Sequence, residues 1–319
     1  MKRDERIDIL KGIAICMVVL GHVIGYIYGT KIYYNNLIFK VCYSFHMPLF
    51  IFINGWLDSL KKSSDINNLW LKKKTIRLMV PYILWTLLKW AITRPDRNIF
   101  ECMFIKPLYW YLINAYLCFI VIYISYVSIK NIMMTSVIVY IISVILMLFC
   151  GDNLVIKNFI MFFPFYMIGY YTQINRNRLK IIEGWIKWSL VLYPVSMLFY
   201  SYKQYDLYAP YININNKFIK GTLLFYNHYI VAILGIMFSF SLVNSILKYK
   251  KLNIVKRYFS TIGKYTMQIY LLHDYFFVNI FKNVYIDGVI SFILSLTVSL
   301  LISVFIARYK NINKILFGN

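Results

Sequence analysis

The stretch DILKGIAICMVVLGHVIG, residues 8–25, sets one histidine inside a run that otherwise reads as a segment made for lipid. Between Lys11 and His22 every residue is uncharged and most are apolar. The rest of the chain agrees with a lipid reading. It has 319 residues, 61% hydrophobic and 15% charged, where a soluble domain carries roughly 45–50% apolar and about 25% charged residues. Residues 8–25 are therefore read as a membrane span, and the chain as a polytopic membrane protein.

Apolar runs long enough to cross about 30 Å of hydrocarbon follow one another along the whole sequence. They fall near 7–28, 36–58, 75–93, 108–129, 132–150, 157–174, 184–201, 224–247, 262–282 and 288–308. Backbone groups in lipid must bond within their own segment, and the runs lack the alternation of barrel strands, so they are read as helices. The expected fold is all-α, a bundle of about ten transmembrane helices forming one domain over 1–319. The first run follows a basic start, as a secretory leader would, yet it has no small-x-small cleavage pattern, and a retained span is expected.

The net charge of +23, from 35 Lys and Arg against 12 Asp and Glu, could by itself suggest a polyanion partner. Its distribution excludes nucleic acid, because the charges are parcelled between apolar runs. With the N-terminus inside, the cytoplasmic set comprises Lys2, Arg3, Arg6, Lys61, Lys62, Lys72, Lys73, Lys74, Arg77, Lys130, Arg176, Arg178, Lys180, Lys248, Lys250, Lys251, Lys256, Arg257, Arg308, Lys310 and Lys314. The outer set is Lys31, Arg94, Arg97, Lys106, Lys157, Lys203, Lys217, Lys220 and Lys282. The inner set is larger by about two to one, which predicts both termini in the cytoplasm. The longest connection, around 201–223, is too short to bury a core of its own. Cys16, Cys42, Cys102, Cys118 and Cys150 show no metal-binding or redox spacing and read as small hydrophobes.

An ionisable residue inside a span is a functional candidate, since its burial costs several kcal/mol unless it is paired or faces water. Counting about 1.5 Å per residue, His22, His46 and His273 reach middle to outer depth, while His228 is shallower and reads as structural. Lys11 and His22 lie eleven residues apart, which places both on one helix face about 16 Å apart along the axis. A water-lined stripe from the cytoplasmic mouth to the outer half is expected along that face. Each residue also has a structural reading. His22 can bond a neighbouring helix, Lys11 can snorkel, and His46 can satisfy carbonyls freed by Pro48. The Lys72 to Arg77 cluster can be a topology signal that also meets anionic lipid, and Trp110 can belong to an interfacial aromatic belt.

Six stretches carry a further signal: IDILKGIAICMVVLGH (7–22), YSFHMPLFIFINGW (43–56), KKKTIRLMVPYILW (72–85), PLYWYL (107–112), FFPFYMIGYY (162–171) and STIGKYTMQIYLLH (260–273). In this order and spacing the chain resembles the acyltransferase 3 family of integral membrane acyltransferases, in the branch similar to fucose O-acetylases and nodulation-factor O-acetyltransferases. The resemblance implies transfer of an acyl group, usually acetyl from cytosolic acetyl-CoA, to a hydroxyl of a cell-envelope glycan or lipid-linked sugar. It implies a bacterial cytoplasmic membrane as the location. The family's basic residue, ten intervening residues and histidine fall on Lys11 and His22, with lysine where many members have arginine, so a charge is kept and a bidentate fork lost. The FHMPLF element falls on His46 and Pro48, and the family's Ser-Gly pair on Asn54 and Gly55. The basic segment entering the third span falls on Lys73, Lys74 and Arg77, and the last element ends at His273.

Acyl transfer needs a base, an oxyanion donor and a seat for the donor's phosphates. His22 is the expected general base, with a covalent acyl-histidine as an open variant. His46 or Asn54 is the expected oxyanion donor. Lys11, Lys73, Lys74 and Arg77 are expected to attract the phosphates of CoA. Tyr270, His273 and Trp110 are expected on the acceptor side. No metal is expected, because the histidines lack accompanying thiolates or paired carboxylates. The alternative is an exporter of polysaccharide or lipid-linked sugar, which would consume no acyl-CoA.

Overall fold

The structure, a computed structural model, describes residues 4–32, 36–61, 65–175, 182–200, 217–278, 280–281 and 283–318. Within them every extended element is helical: α1 (Glu5–Ile32), α2 (Leu37–Asp58), α3 (Asn68–Thr93), α4 (Trp110–Ile124), α5 (Ile132–Cys150), α6 (Leu154–Ile174), α7 (Ile182–Met197), α8 (Lys217–Lys248), α9 (Asn253–Lys264), α10 (Thr266–Leu272), α11 (Val284–Ile306) and α12 (Lys310–Phe317). Short π and 3-10 turns sit beside α4, α9 and α10.

Eight helices among the described residues are long and apolar enough to cross a membrane. They correspond to eight of the ten predicted runs. The seventh run forms the shorter α7. The ninth is broken at Tyr265, where α9 ends and α10 begins. Lys2, Arg3, Lys62, Arg176, Arg178, Lys180, Lys203 and Lys282, which entered the charge comparison, lie outside the described residues, as does most of the 201–223 connection. Lipid explains the surface of α5, where Leu148 and Phe149 are 79% and 82% exposed. In water such a face would drive aggregation.

Asparagine does much of the helix starting. Asn36, Asn67, Asn131, Asn153 and Asn283 each accept backbone N–H bonds from the first turn of α2, α3, α5, α6 and α11. Each carboxamide satisfies donors that the helix cannot. α11 is secured further by Asp287, a buried carboxylate that accepts from the N–H groups of Ile280, Phe281 and Asn283 at 3.1–3.2 Å. Ser291 exchanges hydrogen bonds with both backbone groups of Val278.

The contacts divide into two compact units, one of Met1–Phe50 with Asn177–Val304 and one of Ile51–Arg176 with Phe305–Asn319. In the first, α1 packs on α8, α9 and α10, and α7 on α8. In the second, α4 packs on α3, α5 and α6, and α12 on α3. There Trp85 stacks on Phe317 and donates its indole N–H to the Leu316 carbonyl at 2.7 Å.

A reciprocal glycine crossing occurs in each unit. In the first, Gly12 meets the Phe259 backbone while Gly263 meets the Asp8 backbone. In the second, Gly55 meets the backbone of Tyr166 while Gly169 meets that of Phe52. At all four positions a Cβ would overlap a main-chain carbonyl, which no rotamer change relieves. Gly25, by contrast, has open space beside it. Gly263→Ala is therefore expected to cost about 1–3 kcal/mol through overpacking. Gly25→Ala is expected to be neutral or stabilising by about 0.5–1 kcal/mol, from the higher helix propensity of alanine. Apparent unfolding temperatures in detergent compare the two, and equal shifts would contradict the crossing.

Candidate active site

The first unit gathers three of the four histidines around α1. His22 is half-buried, whereas His46 and His273 are each 2% exposed. His22 Nδ1 lies 2.8 Å from His273 Nε2, with the ring centroids 5.0 Å apart. On its other nitrogen, His273 Nδ1 lies 2.9 Å from the Tyr270 carbonyl and 3.1 Å from that of Ile269. The Tyr270 ring sits 6.2 Å from the His273 ring. Higher on the same flank, Tyr26 meets Phe277. The α10 chain thus rises alongside α1.

Tyr43 joins this group from α2. Its ring lies 6.4 Å from His22 and 4.9 Å, edge-on, from His46, and it rests against Gly21, where a Cβ would meet the ring. The pattern reading passed over Tyr43, although its spacing of three from His46 puts both on one helix face. His46 donates Nδ1–H to the Cys42 carbonyl at 2.5 Å. Pro48 frees the carbonyl four residues before it, that of Ser44. The bond His46 makes is therefore a different one from that proposed for a proline kink. His228 faces Tyr200 edge-on at 5.1 Å.

Lys11 is half-buried on the same helix face as His22. The expected water-lined stripe between them is not there. Ile15 and Val18, which occupy the intervening turns of that face, are 0% and 1% exposed. Spacing put the two polar residues in line, but the apolar side chains between them have been recruited to packing.

In the second unit, Asn54 donates Nδ2–H to the Tyr111 hydroxyl at 3.0 Å. Asp58, one turn further along α2, pairs with Lys74 at 2.6 Å and accepts a hydrogen bond from Tyr166 at 2.9 Å. Lys74 also lies over the Phe119 ring. Its charge is thereby committed to a buried carboxylate, while Lys73 and Arg77 present exposed side chains. Trp110 stacks on Phe162 at 5.1 Å. Asp58, which has no place in the sequence reading, stands at the polar end of an apolar run. Among the described residues no three His, Cys, Asp or Glu side chains gather as a metal set.

Comparison with known proteins identifies the family of the chain. The acyltransferase domain of the acyltransferase 3 family matches residues 4–308. The chain is 31% identical over 134 residues to nodulation protein NolL of Mesorhizobium japonicum, covering 38% of this chain and 35% of that protein. It is 34% identical over 87 residues to nodulation protein NolL of Sinorhizobium fredii, covering 26% and 23%. The aligned parts thus span about a third or less of those relatives. No solved structure matches.

Proposed function

Because the chain belongs to the acyltransferase 3 family and is a multi-pass membrane acyltransferase, we propose that it is an O-acetyltransferase of the bacterial cytoplasmic membrane. It moves acetyl from cytosolic acetyl-CoA to a hydroxyl of a cell-envelope glycan or lipid-linked sugar. The observation that carries this reading is the half-buried His22 imidazole, held by His273 beside Tyr43. A histidine so held can take the acceptor's proton as the hydroxyl oxygen attacks the thioester carbon. It can then return that proton to the departing thiolate, so that the C–S bond breaks as the ester C–O bond is made.

The remaining roles follow the family's element order. Asn54 is assigned to the oxyanion, having a second amide N–H beyond the one given to Tyr111. His46 is the weaker choice, because its donated proton goes to the Cys42 carbonyl. Lys11, Lys73 and Arg77 are assigned to the phosphates of CoA, with Lys74 a support for the segment through Asp58. Tyr270 and Trp110 remain assigned to the acceptor.

Two measurements test the reading. Mass spectrometry of envelope glycans from a deletion strain should show the loss of an acetyl ester that the restored gene returns. Unchanged glycans would refute the enzyme and favour a carrier. Lys11→Ala should raise the KM for acetyl-CoA several-fold, about 1 kcal/mol of ground-state binding, with kcat within about twofold. Lys11→Arg should be tolerated. An unchanged KM in the alanine variant would reduce Lys11 to an interfacial anchor.

A further inference from the structure

The contact between His22 and His273 has a polarity that the neighbouring carbonyls fix. A neutral imidazole carries one N–H donor and one bare acceptor nitrogen. His273 Nδ1 faces the carbonyl oxygens of Tyr270 and Ile269 at 2.9 and 3.1 Å, and a carbonyl only accepts. The proton of His273 must therefore sit on Nδ1, which leaves Nε2 bare. That bare nitrogen lies 2.8 Å from His22 Nδ1. Two lone pairs do not meet at this distance, so His22 Nδ1 carries hydrogen and donates it.

The reverse polarity fails on the same geometry. If His273 donated from Nε2 while neutral, its Nδ1 lone pair would point at two carbonyl oxygens. If it donated from both nitrogens it would be a cation, 2% exposed among apolar helices, a placement that costs several kcal/mol.

From this we infer that His273 is a positioning residue, which holds His22 in its Nδ1–H tautomer so that Nε2 is the atom that takes the acceptor's proton. A histidine side chain in water prefers the other tautomer, with the proton on Nε2. Held that way round, His22 would turn its lone pair toward His273 and have no basic nitrogen for a substrate. The inference rests on His22 being the base, and it moves His273 from the acceptor side, where the sequence placed it, to a place behind the base.

The proton count closes. As the hydroxyl oxygen attacks the thioester carbon, its proton goes to His22 Nε2 and His22 becomes an imidazolium. The Nδ1–H bond to His273 is then charge-assisted and stronger, so the pair stabilises the intermediate more than the ground state. When the C–S bond breaks, the Nε2 proton passes to sulfur and His22 returns to neutral Nδ1–H. His273 gains and loses nothing over the cycle. The arrangement has the logic of the aspartate in a serine hydrolase triad, with a neutral acceptor in place of a carboxylate.

The test uses the full chain in bilayers, labelled with 15N-histidine. Solid-state NMR should show His22, assigned by its absence in His22→Ala, with hydrogen on Nδ1 and a bare Nε2. In His273→Leu the His22 proton should move to Nε2. Turnover of radiolabelled acetyl-CoA, with envelope glycan from a deletion strain as acceptor, should fall in kcat for His273→Leu by up to about 10⁴-fold, the loss seen when the tautomer-fixing partner of a triad histidine is replaced. The KM for acetyl-CoA should change less than about threefold. His273→Gln, whose carbonyl oxygen can accept from Nδ1–H, should restore at least a tenth of the wild-type kcat. The inference is overturned if wild-type His22 carries its proton on Nε2, if His273→Leu turns over normally, or if the glutamine variant, folded and inserted, is as inactive as the leucine variant. Failure of the underlying reading looks different: His22→Ala would then remain active whatever its partner does.

Discussion

His22→Ala is expected to abolish glycan acetylation, a loss of at least about 10²- to 10⁴-fold, the usual contribution of a positioned general base. The protein should still insert at its normal level. Insertion survives because α1 keeps its other anchors. Ile9, Leu10, Ala14, Ile15, Val18, Val19 and Val23 are all at most 1% exposed, and none depends on the imidazole. Removing it does leave His273 Nε2 without the proton it accepts. That costs about 1–3 kcal/mol, the penalty for an orphaned buried acceptor. The measurement pairs quantitative immunodetection in membrane fractions with ester analysis of the glycans. Retained acetylation would remove His22 from the chemistry, and lost protein would mean that the imidazole serves stability instead.

The second large effect concerns the triad of Asp58, Lys74 and Tyr166. Lys74→Met should destabilise the protein by about 3–5 kcal/mol, because it strands a buried carboxylate that the Tyr166 hydroxyl alone cannot balance. Asp58→Leu combined with Lys74→Met should recover most of that loss, since replacing both members of a buried pair by apolar groups is often close to neutral. The two positions are in contact, so their effects should be far from additive. Apparent unfolding temperatures of the two single variants and the double variant, in one detergent, give the coupling directly. Additive losses would mean that the 2.6 Å contact contributes little.

Much of the fold was legible because lipid imposes a simple rule on length and composition. The run containing 8–25 needed no periodicity to be read as a span. The ninth run shows where that rule stops. A search for apolar length begins it at residue 262, after Lys256 and Arg257, yet the helix begins at Asn253. α9 is amphipathic and carries its charges on one side while Ile262 and Gly263 are buried. An apolar window averages the two sides and sees neither. The break at Tyr265 is likewise a tertiary outcome, since TIGKYTMQ contains no proline.

The candidate residues were picked out by type and depth, and their partners were not legible. Three histidines at middle to outer depth pointed to a cluster, and two of them are in contact. Nothing in the sequence says that His273 meets His22 end-on, because a contact spanning 251 positions of chain is set by how α10 rises along α1. The stripe from Lys11 to His22 failed for a related reason. Helical spacing tells which residues share a face, and the neighbouring element decides whether that face stays wet. Asp58 is the clearest omission. The rule that singled out the histidines applies equally to a carboxylate at the end of a span, and the lysine it needs, Lys74, stands on the next helix.

The crossing at which Gly12 meets Phe259 and Gly263 meets Asp8 reaches beyond its own neighbourhood. With main chain resting on main chain, that junction has no compressible layer, and α10 departs from it within a few residues. The altitude at which His273 arrives beside His22 is thus calibrated near the opposite, lysine-bearing end of α1. A small molecule that wedged α9 away from α1 would throw the two imidazoles out of registration without touching either of them. Inhibition from that end of α1 would then require no resemblance to an acyl donor or to its acceptor.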